Sequence, residues 1–84
     1  MSDEGKTVEV KAAMSGVFYR RPSPDDPLYA EVGDTVKKKQ VLALLETMKV
    51  FQKIKSPAAG TIEEILIENE TPVMDGTVLM VIKS

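Results

Sequence analysis

Residues 41–55 read Val-Leu-Ala-Leu-Leu-Glu-Thr-Met-Lys-Val-Phe-Gln-Lys-Ile-Lys, and the fold turns on whether they form one helix or two strands. Val41, Leu44, Leu45, Met48 and Phe51 fall on a helical stripe, and Leu, Ala, Met, Glu and Lys favour helix. Val41 to Leu45 is equally a continuous apolar run of strand length, and Val50 to Lys55 is a strand candidate. Local periodicity leaves both readings open. Residues 62–68 (IEEILIE) pose the same problem in milder form.

An internal repeat decides between them. Residues 34–45 (DTVKKKQVLALL) align with 71–82 (TPVMDGTVLMVI) at an offset of 37, placing Val36 on Val73, Val41 on Val78, Leu42 on Leu79 and Leu45 on Ile82. Residues 11–18 (KAAMSGVF) align with 55–62 (KSPAAGTI) at an offset of 44. The two offsets differ by seven residues, an insertion in the first copy that falls in Arg20 to Leu28 (RRPSPDDPL). Prolines at 22, 24 and 27 bar that stretch from regular helix or central strand. The second copy's VLMVI at 78–82 is short and β-branched and reads as strand, so 41–45 is predicted to be strand too.

Thr7–Lys11, Gly16–Tyr19, Thr61–Ile67 and Val78–Ile82 complete the named strand candidates. Two copies of about four short strands predict an all-β fold: a flattened eight-stranded antiparallel barrel or sandwich of two halves related by a pseudo-two-fold. Residues 1–6 are expected as a short disordered lead and 7–84 as a single domain. Met14, Met74 and Met80 are expected in the core.

With strands at 41–46 and 50–55, a hairpin turn falls at Thr47-Met48-Lys49. Two-residue hairpin turns favour Asn-Gly or Asp-Gly, because both central residues take φ > 0. Met-Lys at such a turn carries a steric cost. Local rules fail there while the flanking strands obey them, a pattern expected at functional sites. The turn is unique in the chain, lies between the two copies, and presents a long flexible amine at an exposed tip.

Composition narrows what that amine does. The 84 residues include no Cys and no His, which excludes disulfides, thiolate chemistry and His-dependent catalytic triads. No residue is assigned a catalytic or metal-binding role. A formal charge of −2 and four aromatics (Phe18, Tyr19, Tyr29, Phe51) argue against nucleic-acid binding. No apolar run approaches the roughly 18 residues of a membrane helix, so no membrane association is expected. Asp25-Asp26 and Glu63-Glu64 read as solvated faces, and Lys37-Lys38-Lys39 as a solvated turn or a docking patch for an acidic partner.

Glu46-Thr47-Met48-Lys49-Val50 resembles the biotinylation motif of the biotin carboxyl carrier (biotinyl) domains, most often Ala-Met-Lys-Met. The similarity runs from about Val8 to Ile82, with Gly16, Gly33, Pro57, Gly60 and Pro72 where that family turns. It implies covalent biotin on Lys49, attached by a biotin protein ligase. Glu46, Thr47, Met48 and Val50 would form the hairpin the ligase reads. The biotin would swing between the biotin carboxylase and carboxyltransferase of acetyl-CoA carboxylase, in fatty acid synthesis. On this reading the chain is a non-catalytic carrier, in the cytoplasm or, for a plant chain, a plastid. The insertion at 20–28 resembles the thumb of bacterial-type acetyl-CoA carboxylase carriers, which projects beside the biotin. Arg21 stands where better-known thumbs have Thr and would offer its guanidinium to the ureido carbonyl or to a partner subunit. Thr47 and Val50 replace the commoner Ala and Met. Glu-Thr-Asp-Lys-Ala/Val is typical of lipoyl domains of the same fold, so a lipoyl carrier of a 2-oxo acid dehydrogenase or glycine cleavage system is one alternative. An unmodified β-barrel interaction module is the other.

Overall fold

The computed structural model describes residues 6–84, so all but Lys6 of the expected lead at 1–6 lies outside the described residues. Among those residues every regular element is a strand: β1 (Thr7–Lys11), β2 (Gly16–Tyr19), β3 (Thr35–Val36), β4 (Val41–Thr47), β5 (Val50–Lys55), β6 (Gly60–Ile65), β7 (Thr71–Val73) and β8 (Val78–Lys83). The helical reading of 41–55 is excluded, and 62–65 is strand. The sequence reading named six of these strands; β3 and β7, two and three residues long, were too short to stand out.

The strands form two antiparallel four-stranded sheets, ordered β1-β8-β6-β3 and β5-β4-β2-β7. The offset of 44 carries β1 onto β5 and β2 onto β6, and that of 37 carries β3 onto β7 and β4 onto β8. Each sheet is therefore the image of the other. Each contains two strands from β1–β4 and two from β5–β8, so neither half has a sheet of its own. The hydrogen bonds repeat as well. Ala12 N–H donates to Thr77 O at 2.9 Å, and its counterpart Ser56 N–H to Gln40 O at 2.8 Å. Gly33 N–H donates to Ile62 O at 2.8 Å, and its counterpart Glu70 N–H to Phe18 O at 2.7 Å.

The core explains why 41–45 lacks strand alternation. In the β4–β5 register Val41 faces Lys55 but Ala43 faces Ile54, which leaves Leu42 as a bulge. In β1–β8, Val10 faces Met80 and Lys11 faces Val78, which bulges the equivalent Leu79. A bulge resets the two-residue side-chain period, so consecutive residues can face the same side. Leu42 and Ala43 both lie in the core, as do Leu79 and Met80. Phe18, Val36, Ile62 and Ile82 complete the most deeply buried set, each contributing roughly 1.5–3 kcal/mol by burial.

Apart from the β4–β5 link, four turns carry residues in the left-handed region, again in equivalent pairs: Gly33 (φ 96°) with Glu70 (65°), and Lys39 (74°) with Gly76 (89°). One copy of each pair uses glycine and the other bears the strain. Met74 is a correction to the sequence reading. It opens the tight turn closed by Thr77 N–H to Met74 O at 2.9 Å and is 71% exposed, whereas Met80 is fully buried and Met14 packs against the core.

Candidate functional site: the β4–β5 hairpin

The paired strands reach the tip of this hairpin. Thr47 faces Val50, leaving Met48 and Lys49 as a two-residue link. Their φ angles are 51° and 67°, as a type I′ turn requires. Neither is Gly, Asn or Asp, so each carries a left-handed penalty of roughly 1–2 kcal/mol. The strain persists because β4 is clamped between β5 and β2, which fix the register on both sides. Gly16 lets β2 approach: a Cβ there would lie 2.5 Å from Glu46 O and 2.9 Å from Thr47 Cγ2. Its repeat partner Gly60 meets Lys83 O at the same 2.5 Å.

Below the tip, two aromatic residues brace the strands. The Tyr19 hydroxyl donates to Glu46 Oε1 at 3.1 Å, and its ring meets Phe51 edge-on, with centroids 5.6 Å apart and planes at 60°. Phe51 lies opposite Glu46 in the ladder. The bond to Glu46, then desolvation, then the charges of Glu46 and Glu70 raise the Tyr19 phenol above its ordinary 10.0. The role of Phe51 is legible once the turn is centred on 48–49, because register alone places it across from Glu46. Tyr19 had no such signal in the sequence, since its contact spans 27 residues.

The tip is apolar around a cation. Met48 is 95% exposed, Val50 58% and Phe51 51%, with Lys49 exposed among them. Apolar side chains gathered in the open are a feature of surfaces that proteins recognise. No ion pair or hydrogen bond engages the Lys49 amine among the described residues. Acylating it would neutralise a charge without stranding a partner, and an exposed two-residue tip can enter another enzyme's active site. The residues fit a lysine that carries a covalent group through an amide.

The 20–28 insertion is a pinned loop. Arg20 N–H donates to Asn69 Oδ1 at 2.7 Å, Arg20 Nη2 to Ala30 O at 3.0 Å, and Tyr29 N–H to Arg20 O at 2.9 Å. Ser23 and Asp26 close its tip through Asp26 N–H to Ser23 O (3.1 Å) and Ser23 Oγ to Asp26 Oδ2 (2.8 Å). Arg21 is half-buried with its Nε unpartnered, and with Tyr19, Pro22, Pro24, Asn69 and Glu70 it lines a cavity of ≈ 140 Å³. The structure thus joins Arg21 to the hairpin's brace, Tyr19, and no hydrogen bond or ion pair joins it to residues 46–50. Asp25, Asp26, Glu63, Glu64 and Lys37 to Lys39 are all exposed. Among the described residues no group of three or more metal-ligating side chains occurs, and no helix is long and apolar enough to cross a membrane.

Known proteins resemble the chain over nearly its whole length. The family model described as "Biotin-requiring enzyme" matches residues 8–82. The chain is 43% identical over 74 residues to the chloroplastic biotin carboxyl carrier protein of acetyl-CoA carboxylase 1 of Arabidopsis thaliana, a match covering 88% of this chain and 26% of that protein. It is 45% identical over 80 residues to the biotin carboxyl carrier protein of acetyl-CoA carboxylase of Streptococcus pyogenes serotype M6, covering 95% of this chain and 47% of that protein. The chain thus spans from about a quarter to just under half the length of these relatives. In fold it resembles part of a single-chain, multi-domain long-chain acyl-CoA carboxylase (TM-score 0.79, 19% identity, 99% of this chain and 8% of that one). It also resembles part of the Kluyveromyces lactis urea carboxylase (TM-score 0.76, 22% identity, 98% of this chain and 7% of that one). With the family model covering nearly all of β1 to β8 and the hairpin built as described, the chain belongs to the biotin–lipoyl family of biotin-requiring enzymes.

Proposed function

We propose that residues 7–84 form a single biotinyl carrier domain, with biotin amide-linked to Lys49, serving the biotin carboxylase and carboxyltransferase of an acetyl-CoA carboxylase. One observation carries this: a left-handed Met48-Lys49 pair, held by strands on both sides, lifts an unpaired amine clear of the fold. The names of the relatives support the acetyl-CoA carboxylase assignment and favour biotin over lipoate and over an unmodified module. Glu46, Thr47 and Val50 suit either cofactor, and Met48 in place of Asp distinguishes the biotin motif.

Biotin on Lys49 would supply the carboxyl-carrying chemistry. The chain's own residues hold and present. The clamped hairpin fixes the base of the arm, and tethering replaces free encounters by a high effective concentration at both partners. Met48, Val50 and Phe51 offer the ligase an apolar face around the nucleophile, and Thr47 and Glu46 hold the strand end. Activation of the amine at attachment falls to a biotin protein ligase, since among the described residues no side chain hydrogen-bonds or ion-pairs with Lys49. The 20–28 loop acts as a thumb, with Arg21 offering its guanidinium to the ureido carbonyl or to a partner subunit. The compartment is the cytoplasm or, in a plant, the plastid, the latter supported by the chloroplastic relative.

Co-expression with a biotin protein ligase and intact-mass measurement test the reading. One biotin adduct is expected, absent in Lys49→Arg. A lipoyl adduct, or an adduct on another lysine, overturns it. For the thumb, Arg21→Ala should shift the NMR resonances of the attached ureido ring, and unchanged resonances remove Arg21 from the site.

A further inference from the structure

The side of the molecule formed by the free sheet edges carries a second surface. β1 ends one sheet and β5 the other, and each pairs on one side only. These two edges flank a common cleft of ≈ 270 Å³, whose lining includes Glu9, Lys11, Lys53 and Lys55 at the rim. It reaches down to Val10 and Leu45, both core residues, with half-buried Ile54 beside them. The cleft lies across the pseudo-two-fold, since β1 maps onto β5, but its charge does not follow the symmetry. Glu9 corresponds to Lys53, and the Lys37-Lys38-Lys39 turn corresponds to Met74-Asp75-Gly76.

That lysine turn is fastened to the cleft's edge. Lys39 N–H donates to Ser56 O at 2.8 Å, and Ser56 N–H to Gln40 O at 2.8 Å; Ser56 sits between Lys55 and Pro57, which both line the cleft. Six of the eleven basic residues in a net-acidic chain therefore lie either on the cleft's lining (Lys11, Lys53 and Lys55) or on the turn bonded to its edge (Lys37, Lys38 and Lys39). The acidic groups among them are Glu9, already 3.7 Å from Lys11, and Asp75, whose turn joins the β1 side through Gly76 N–H to Ala12 O at 2.8 Å. Neither charge segregation nor an open cleft is needed to present Lys49.

We infer that this cleft is a docking site for an extended acidic segment of a partner protein, added as a strand against the free edge of β5. Unpaired edge N–H and C=O groups supply the ladder, as in strand addition generally. Alternate apolar side chains enter over Val10, Leu45 and Ile54, and the acidic side chains between them meet Lys53, Lys55 and the 37–39 turn. The charge pattern selects an anionic partner and speeds its encounter. The site lies along the lower part of β5, below the Met48-Lys49 tip, so a carrier bound here keeps its lysine free.

A short peptide alternating Glu and Val, titrated into the isotopically labelled chain, tests this. Amide shifts are expected at residues 9–13, 37–40 and 52–57, with affinity falling steeply as salt shortens the range of surface charges. Lys53→Glu/Lys55→Glu should weaken binding by about tenfold or more, since two attractions become repulsions. It should leave biotin attachment at Lys49 unchanged, which separates this proposal from the carrier reading. Lys53→Gln/Lys55→Gln, a milder pair, should weaken binding less than the charge reversal does. The inference is overturned by no shifts, by shifts confined to 46–51, by equal binding of a Lys–Val peptide, or by unaltered binding in both variants. Equal binding of a single-stranded oligonucleotide would also overturn it, because the surface would then read charge alone.

Discussion

Replacing Met48 by Asn separates the two demands on the hairpin tip. Met48 holds φ 51° and is 95% exposed, so its removal opens no cavity and loses almost no packing. A left-handed residue other than Gly, Asn or Asp costs roughly 1–2 kcal/mol, and Asn recovers part of this by local hydrogen bonding. A gain of about 0.5–1 kcal/mol follows, which in a domain of this size raises Tm by roughly 2–8 °C. The same change removes the apolar group next to Lys49, so the ligase's kcat/KM for the chain should fall. Met48→Leu is the control: it keeps both strain and apolarity, and stability and modification should stay near the parent's. Thermal unfolding followed by circular dichroism and a biotin-incorporation time course read the two effects. If Met48→Asn destabilises the chain, the turn is not strained as argued. If it is stabilised and modified at the parent rate, Met48 is not read by the ligase.

Gly16→Ala and Gly60→Ala each force a Cβ to within 2.5 Å of a carbonyl oxygen, and both should lose about 1–3 kcal/mol in urea unfolding. Only Gly16→Ala presses on Glu46 and Thr47, so it alone should also slow modification of Lys49. Glu70→Gly should stabilise by about 0.5–1 kcal/mol in the same assay, because Glu70 stands at φ 65° where its repeat partner is Gly33. Tyr19 has a raised phenol pKa, so its neutral form is favoured by folding. Its contribution to stability is complete below the ordinary 10.0 and fades as pH rises through the higher folded value. Spectrophotometric titration of Glu46→Gln should bring that phenol back toward 10.0, and an unmoved titration would deny the bond to Glu46.

Some of this architecture was legible because it rests on chain-local or self-comparing signals. The paired offsets of 44 and 37 located equivalent strands without any structure, and the odd turn at Met48-Lys49 marked the site because a local rule failed where its neighbours held. Lys49 needs only a register and an exposed tip, and both follow from two flanking strands. The apolar run at 41–45 stayed ambiguous for a physical reason: its alternation is broken by a bulge at Leu42, and bulges are set by pairing with a partner strand. Met74 misled for the converse reason. Its apolar character suggested the core, but a tight turn after β7 turns it outward.

By itself the sequence determined that the chain is a duplicated set of short strands, that an amine rides on a strained turn between the copies, and that these 84 residues supply no His or Cys. Tertiary structure alone decided how the copies share their strands. The halves interlock, two strands each in both sheets, because neither half can bury Phe18, Leu42, Ile62 and Leu79 without the other. Pairing of β2 with β4 brought Tyr19 under Glu46 across 27 residues, and the exchange left the β1 and β5 edges facing one basic cleft. Contacts between residues distant in sequence leave no period or spacing to read, so only the folded chain displays them.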